Sequence, residues 1–540
     1  MIDDSINRSV HKNSDNKWAN TAFLAIAIFL VAYVALCTGQ RENGWSWDAW
    51  EHQRSIRALV ENFWDPGNPT YPLSTPSVRY SPYIVALAAI CKALNLSTYD
   101  VLSYAAIFNT ILLIFAVKGF LNAHGEGKSV AAVLFIMVTL WAGPPSHSNS
   151  FALADLPIQQ VNPSAFTLPL ALFLWTLFYR FKKLGWKDWG WVVMLLISAS
   201  MLLDHVITLA FAHIALWTFA LADRDKRAIA MLLTITIGAS ILGFAWPWFD
   251  LLHLITKGVT AGLINKYVIY LILFSWVIPA LIGGIISLQL QKNYLVSVLV
   301  KAGFAIYLIN LVAYLTPFQF SGFGAISRMA LPGALCFHIA LGIFATHNEF
   351  FSISKWRERV SILAFKKDSN KISQTILDFI LLFGVFYFTL PQIKLILKEP
   401  FLAREYIAAA LGKENKQIHL WKKAQKLMKP VGRTEVVLSD ILTSWSLVAA
   451  SGRIVYGLHP EAFVKGQTAR KTDVEHFFSK DNKHSSRLEI IKKYNVKWLV
   501  LNKSSIDSEV FDELYDKKSC VYNDEIFYLI NVEKWIKNIK

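Results

Sequence analysis

Stretches of about twenty mostly apolar residues recur along this chain from Trp18 to Gln392, and that recurrence limits the available folds more than any other feature. A helix needs roughly 20 such residues to cross a hydrocarbon core of about 30 Å. Inside that core every backbone polar group must be satisfied within its own element, which leaves helices as the spanning structure for segments of this length. Hydrophobic residues make up 54% of the 540, charged residues only 17%, and the mean hydropathy is +0.39. A soluble chain of this size needs far less apolar surface, so the chain belongs in a bilayer.

Eleven spans are expected, beginning near residues 18, 101, 128, 165, 187, 206, 227, 264, 294, 326 and 374. The net charge of +16 does not point to nucleic acid, because the basic residues gather in particular loops between apolar spans. One group is Arg180, Lys182, Lys183 and Lys187; a second is Arg224, Lys226 and Arg227; a third runs from Lys355 through Arg357, Arg359, Lys366 and Lys367 to Lys371. All three fall on the cytoplasmic side if the N-terminus is inside, as the positive-inside rule requires. An odd number of spans then puts the tail outside. Asp3, Asp4 and Asp15 give the N-terminus none of the basic character of a signal peptide, so the first span reads as a retained anchor. Cys37, Cys91 and Cys336 lie in or beside apolar helices, which leaves Cys520 in a soluble region and no disulfide framework.

The expected fold class is an all-α polytopic membrane domain over 1–393 with a small C-terminal α/β domain over 394–540. A long first outer loop, 39–100, carries Trp45, Trp47, Trp50, Trp64, Tyr71 and Tyr80, and its segment Ser81–Ile90 reads as a short interfacial helix. The tail opens on a basic helical stretch, Arg404 to Lys429. It then alternates strand-like runs (435–438, 497–501, 526–530) with helical patterns such as Ser486 to Tyr494.

The most informative stretch runs from Gly44 to Leu59. If helical, it puts Asp48, His52 and Ser55 on one face at spacings of four and three. Glycosyl transfer to a hydroxyl needs a base for the acceptor's proton while the anomeric carbon gains oxocarbenium character, and Asp48 fits that role. The same residues also fit a plainer reading, with Asp48 capping a surface helix and His52 an interfacial polar group. Arg79 and the tyrosines Tyr71 and Tyr80 sit between prolines further along the loop.

Together these features resemble the GT-C superfamily of membrane glycosyltransferases. That superfamily includes oligosaccharyltransferase catalytic subunits, protein mannosyltransferases, aminoarabinose transferases and mycobacterial arabinosyltransferases. The shared layout is a short cytosolic N-terminus, one helix, then a long outer loop that opens with an acidic residue and closes on a Tyr/Pro segment. It covers the whole chain in layout and about the first hundred residues in motif. The resemblance implies a polyprenyl-phosphate-linked sugar as donor and a periplasmic glycan, lipopolysaccharide, lipid or protein as acceptor, with the enzyme in a bacterial inner membrane. It implies Asp48 as the catalytic acidic residue and His52 as the polar position one turn on. The second outer loop carries Asp155, where metal-binding members often show two acidic residues spaced by one; a single Asp here favours a mechanism with no metal. Arg328, Arg79 and His205 are the candidates to hold the donor phosphate, with Lys257 and Lys266 less suited. Asp155 and Arg328 each have a plain alternative, as a turn residue before Pro157 and as a snorkelling side chain.

There is no Walker loop, nucleophile elbow or zinc motif, which argues against a nucleotide-sugar donor held by a Rossmann-like domain. Two rivals remain. A polyprenyl-diphosphate-dependent polymerase or ligase typically keeps its large loop late in the chain, and a flippase tends to show repeated halves and broken helices. His338, ten residues into the tenth span, is expected to face the bundle interior without a role in the site.

Overall fold

The computed structural model describes residues 3–38, 47–143, 149–185, 189–257, 266–315, 327–348, 376, 383–394, 416–458, 461 and 463–539. In chain order its helices begin with α1 (Asp3–Cys37), α2 (Trp47–Glu61), α3 (Pro82–Ala93), α4 (Thr98–Ala123) and α5 (Val130–Thr139). They continue with α6 (Leu156–Gln159), α7 (Pro163–Lys183), α8 (Gly190–Asp204), α9 (Val206–Ala222) and α10 (Lys226–Phe244). Then follow α11 (Leu251–Lys257), α12 (Lys266–Leu271), α13 (Ile278–Leu290), α14 (Tyr294–Leu315) and α15 (Ala330–His347). The chain divides into two compact units. The first comprises Met1–Thr38, Tyr104–Ala245 and Leu263–Arg404; the second comprises Gly39–Ser103, Trp246–Gly262 and Glu405–Lys540.

Among the described residues, seven helices are long and apolar enough to cross a bilayer: Trp18–Cys37, α4, α7, α10, Val268–Leu290, α14 and α15. Gly127–Thr139, α8 and α9 are apolar but shorter. These ten coincide with the first ten expected spans, and residues 383–394 of the eleventh are helical. Much of the eleventh, and the basic loop from Lys355 to Lys371, lies outside the described residues. The protein is therefore a multi-pass helical membrane protein with a small C-terminal sheet.

Helix α15 is the axis of this unit. Every residue from Ala330 to Ala345 is buried, and the helix packs on α14, α13 and α5. Without a hydrophobic force between helices inside lipid, close approach depends on small residues. A Cβ added at Gly342 would lie 2.8 Å from the Val133 Cα of α5, a backbone atom that cannot turn aside. Gly342→Ala should accordingly destabilise the unit by about 1–3 kcal/mol, read as a lowered unfolding temperature in detergent. The same change at Gly119, where a Cβ would meet nothing within 4 Å, should leave it unchanged. His338 meets its expectation: it is fully buried, with Nε2 3.1 Å from the Leu140 carbonyl oxygen.

Polar contacts tie together one end of the bundle. Lys182, at the end of α7, pairs with Asp223 after α9, and Tyr294, at the start of α14, donates to the same carboxylate. Glu126, after α4, accepts from Asn293 and meets His347 at the end of α15. The basic groups at 180–183 and 224–227 thus share one end of the bundle, as the charge pattern requires. At the opposite end Thr38 donates to the Pro157 carbonyl.

The second unit holds a five-stranded sheet of order β2-β1-β3-β5-β4, made of β1 (Val436–Leu438), β2 (Arg453–Ile454), β3 (Val496–Asn502), β4 (Cys520–Asn523) and β5 (Phe527–Asn531). β2, β1 and β3 are parallel, while β5 is antiparallel to both β3 and β4. Side chains alternate between two cores as the strand period demands. Val436, Leu438, Leu499 and Leu501 enter one core; Val437, Trp498 and Val500 enter the other. The strand-like runs expected at 435–438, 497–501 and 526–530 are β1, β3 and β5, and the helical pattern near 486–494 is the helix His484–Lys493.

This unit also contains the first outer loop. The Ile454 amide donates to the Thr70 carbonyl at 2.8 Å, which ties the loop backbone to the end of β2. Arg57 of α2 donates to the Gly452 carbonyl, and the Gly457 amide donates to the Tyr71 hydroxyl. Gly452 has a φ of +72°, and a Cβ there would stand 3.2 Å from the Glu435 carbonyl oxygen, so the turn into β2 needs glycine. Trp246 and Trp248, which follow α10, donate their indole N–H groups to the carbonyls of Tyr80 and Phe63.

Candidate active site

Helix α2 forms as its sequence directs. Asp48 lies in the first turn, where a carboxylate meets the positive end of the helix. Pro66 and Gly67 follow its last residue within a few positions. Nearly the whole helix is buried, including Glu51, His52, Gln53, Arg54, Ser55 and Arg57. Buried charge is costly unless paired, and the charged residues among them, Glu51, Arg54 and Arg57, each have an ion-pair partner.

Asp48 is the most open of them, with 37% of its side chain exposed, and its Oδ1 lies 3.3 Å from Arg79 Nη2. Arg79 also contacts the Glu51 carboxylate. Glu51 Oε1 lies 3.3 Å from Arg54 Nη2, and Arg54 Nη2 lies 3.5 Å from Glu461 Oε1. The result is an alternating chain of five charges, Asp48–Arg79–Glu51–Arg54–Glu461, open at the Asp48 end and buried at the other. Glu461 comes from the tail, where the Thr70 and Ser77 hydroxyls each donate to it at 3.0 Å. The Arg54 guanidinium also lies 4.8 Å above the Trp445 ring. Burial pulls the Arg54 pKa down from its usual value, and Glu461 opposes that shift.

His52 stands one turn after Asp48, as its spacing required, but only 2% of it is exposed and its Nδ1 has no hydrogen-bond partner among the described residues. Burial lowers its pKa to about 4; Asp48 opposes the shift and Arg54 adds to it. The imidazole is neutral at pH 7. Ser55, expected on the same face, is buried and donates to the Glu51 carbonyl within the helix. A histidine whose pKa falls on folding binds fewer protons in the native state, so its stabilising contribution is complete above about 6.5 and is lost as pH falls toward 4. The loss should be on the order of 3 kcal/mol by pH 4, and His52→Gln should flatten this part of the stability curve measured by thermal unfolding between pH 4 and 7.

Tyr71 and Tyr80 are buried within the same unit. Burial is the main cause that raises both phenols, Tyr71 to about 12, so both are neutral hydrogen-bonding groups. Tyr80 donates to the Gly67 carbonyl, which folds the Tyr/Pro segment on itself.

The remaining candidates lie in the first unit. Asp155 precedes α6 and is buried, with Ser150 donating to its Oδ2 at 2.9 Å. The neighbouring Asn149 accepts from Thr208, whose hydroxyl lies 2.8 Å from His205 Nδ1. His205 caps α9 through the Thr208 amide. Arg328 sits in the single turn Ser327–Met329 that leads into α15, and that turn packs against α9. Asp155 thus stands just before α6, His205 at the N-cap of α9 and Arg328 in the turn before α15. The side chains of Lys257 and Lys266, and residues Trp45 and 321–326, lie outside the described residues. Among the described residues no three His, Cys, Asp or Glu side chains converge as metal ligands would.

No family model matches the sequence, and no curated protein matches it. Among solved structures, ArnT from Cupriavidus metallidurans in the apo state aligns over 96% of this chain and 98% of its own, with a TM-score of 0.53 at 10% identity. The chain shares the fold of ArnT. The oligosaccharyltransferase of Archaeoglobus fulgidus in its apo form also aligns, over 89% of this chain and 69% of its own, with a TM-score of 0.49 and 12% identity. The aligned residues include parts of both units, and the fold class expected from the sequence, a helical membrane domain with a small C-terminal α/β domain, is the one observed.

Within that fold, sequence reasoning missed the buried half of the charge chain. Arg54 was readable in principle, because Glu51 and Arg54 are three apart on a helix, as Arg57 and Glu61 are four apart. Glu461 carried no such signal. It follows the sequence Gly-Leu-His-Pro and finds its partners 384 and 391 positions away.

Proposed function

We propose that this protein is an integral membrane glycosyltransferase that moves a sugar from a polyprenyl-phosphate-linked donor to an acceptor outside the cytoplasm. The observation that carries this reading is the Asp48 carboxylate, held at the exposed end of the charge chain beside Arg79, on a chain that shares the fold of ArnT. Asp48 accepts the acceptor hydroxyl's proton as the new glycosidic bond forms. Arg79 is within reach of the same place and supplies positive charge for the departing phosphate, with Arg328 and His205 as further phosphate partners. His52, neutral and buried, stands one turn after Asp48; Asp155 orients donor or acceptor from the second outer loop. The acceptor is a glycan, lipopolysaccharide, lipid or protein, the C-terminal domain is periplasmic, and the membrane is the bacterial inner membrane.

The test is transfer by the purified protein in membranes from a panel of radiolabelled polyprenyl-phosphate sugars, with Asp48→Asn run in parallel. Transfer from at least one donor that disappears in the variant supports the reading. Equal transfer by a folded Asp48→Asn protein overturns it.

A further inference from the structure

Arg79 is only partly covered, with 27% of its side chain exposed, and an arginine on a loop between prolines has many conformations open to it. Its placement is nevertheless over-determined, and both restraints lead to the same tail residue. The first is electrostatic. Arg79 meets Glu51; Glu51 is shared with Arg54; and Arg54 is shared with Glu461. How firmly Glu51 is available to Arg79 therefore depends on how much of the Arg54 charge Glu461 neutralises. The second restraint is a hydrogen-bond path. The Ser77 hydroxyl donates to Glu461 Oε2 at 3.0 Å and accepts from the backbone N–H of Arg79 at 3.3 Å. A hydroxyl that donates in one direction accepts better in the other, so the carboxylate strengthens the bond that fixes the Arg79 backbone.

Glu461 is itself immobile. It is 5% exposed, receives the Thr70 and Ser77 hydroxyls, and its amide donates to the Gln467 side-chain carbonyl. Thr70 is locked in turn, because its amide donates to Asn68 and its carbonyl accepts from Ile454 at the end of β2.

We infer that Glu461 is a positioning residue: from the C-terminal domain, it fixes Arg79 beside Asp48 by charge through Arg54 and Glu51 and by hydrogen bond through Ser77. This deepens the proposed function, on which its catalytic consequence rests, but the positioning itself is measurable without any sugar donor. Two carboxylates would otherwise compete for one loosely held guanidinium. With Glu461 in place, Arg79 stays between Asp48 and Glu51, available to an arriving phosphate at the exposed end.

The experiment uses the full-length protein in membranes and the variant Glu461→Gln, which keeps the size of the side chain and an acceptor oxygen for one of the two hydroxyls but removes the charge. Its first readout is the rate at which phenylglyoxal modifies Arg79, followed by peptide mass mapping, with the exposed Arg433 as internal reference. The expected result is a severalfold faster modification at Arg79 with Arg433 unchanged. An unchanged Arg79 rate overturns the proposal. The second readout is the split between kinetic constants: the donor KM should rise about tenfold while the acceptor KM holds. A merely structural role would lower the folded fraction and Vmax and leave both KM values alone, and that pattern also overturns it. Should Glu461→Gln fail to fold, Ser77→Ala cuts only the hydrogen-bond path and should accelerate Arg79 modification by itself; an unchanged rate there counts against the proposal. If Arg79 loosens as expected but Asp48→Asn remains active, the positioning stands and the proposed function fails.

Discussion

Replacing Arg54 by methionine should cost the second unit about 3–5 kcal/mol, the usual penalty for removing one partner from a buried charge network. The side chain is 1% exposed and lies between two buried carboxylates, Glu51 and Glu461. Methionine fills a similar length but leaves Glu461 with hydroxyl donors alone. Glu51 retains Arg79, so the loss concentrates at the tail end of the chain of charges. For a unit of this size the unfolding temperature should fall by roughly 10 °C, observable by thermal unfolding in detergent. Adding Glu461→Gln to Arg54→Met should recover part of the loss, because the uncompensated charge is then gone. A double variant as unstable as the sum of the singles would mean that Arg54 acts through packing on Trp445, 4.8 Å below it.

The largest effect on activity is expected at Asp48. Asparagine keeps the side chain's shape and can still receive a hydrogen bond from Arg79, but it cannot take a proton at neutral pH. General-base catalysis contributes about 10²–10⁴ in rate, so transfer by Asp48→Asn should fall by that factor with donor KM little changed. Stability should change little, because Asp48 is the exposed end of the series and Glu51 still pairs with Arg79. Rates measured at saturating acceptor with several hydroxyl acceptors separate a lost base from lost binding. A variant slowed only at low donor concentration would point to Asp48 as a binding group.

Much of the fold is legible in the sequence because the strongest signals are periodic and long. The first ten expected span starts match helices, and β1, β3 and β5 coincide with the runs that read as strands. The short strands β2 and β4 leave no such trace. β2 is two residues long and exists only because β1 pairs with it, while β4 alternates partly exposed residues and pairs only with β5. At the site, local spacing singles out Asp48, His52 and Ser55, Arg79 is noted for its place between prolines, and the structure brings Arg79 to Asp48. What spacing cannot give is depth. His52 and Ser55 are buried with the interior face of α2, and only Asp48 and Arg79 are open. Nor does any local pattern announce that the first outer loop and the C-terminal domain share one compact unit, because the contacts that join them, such as Thr70 to Glu461, lie 391 positions apart.

That separation sets an order of assembly. Ribosomes add about 5–20 residues per second, so the 391 positions between Thr70 and Glu461 take on the order of twenty to eighty seconds to synthesise. Throughout that interval Arg54 is without its tail carboxylate and the edge that receives Thr70 does not exist. A nascent chain released before residue 461 therefore carries the helix that bears Asp48 but not the groups that neutralise its interior, and such a fragment is a substrate for quality-control proteolysis rather than a smaller working enzyme.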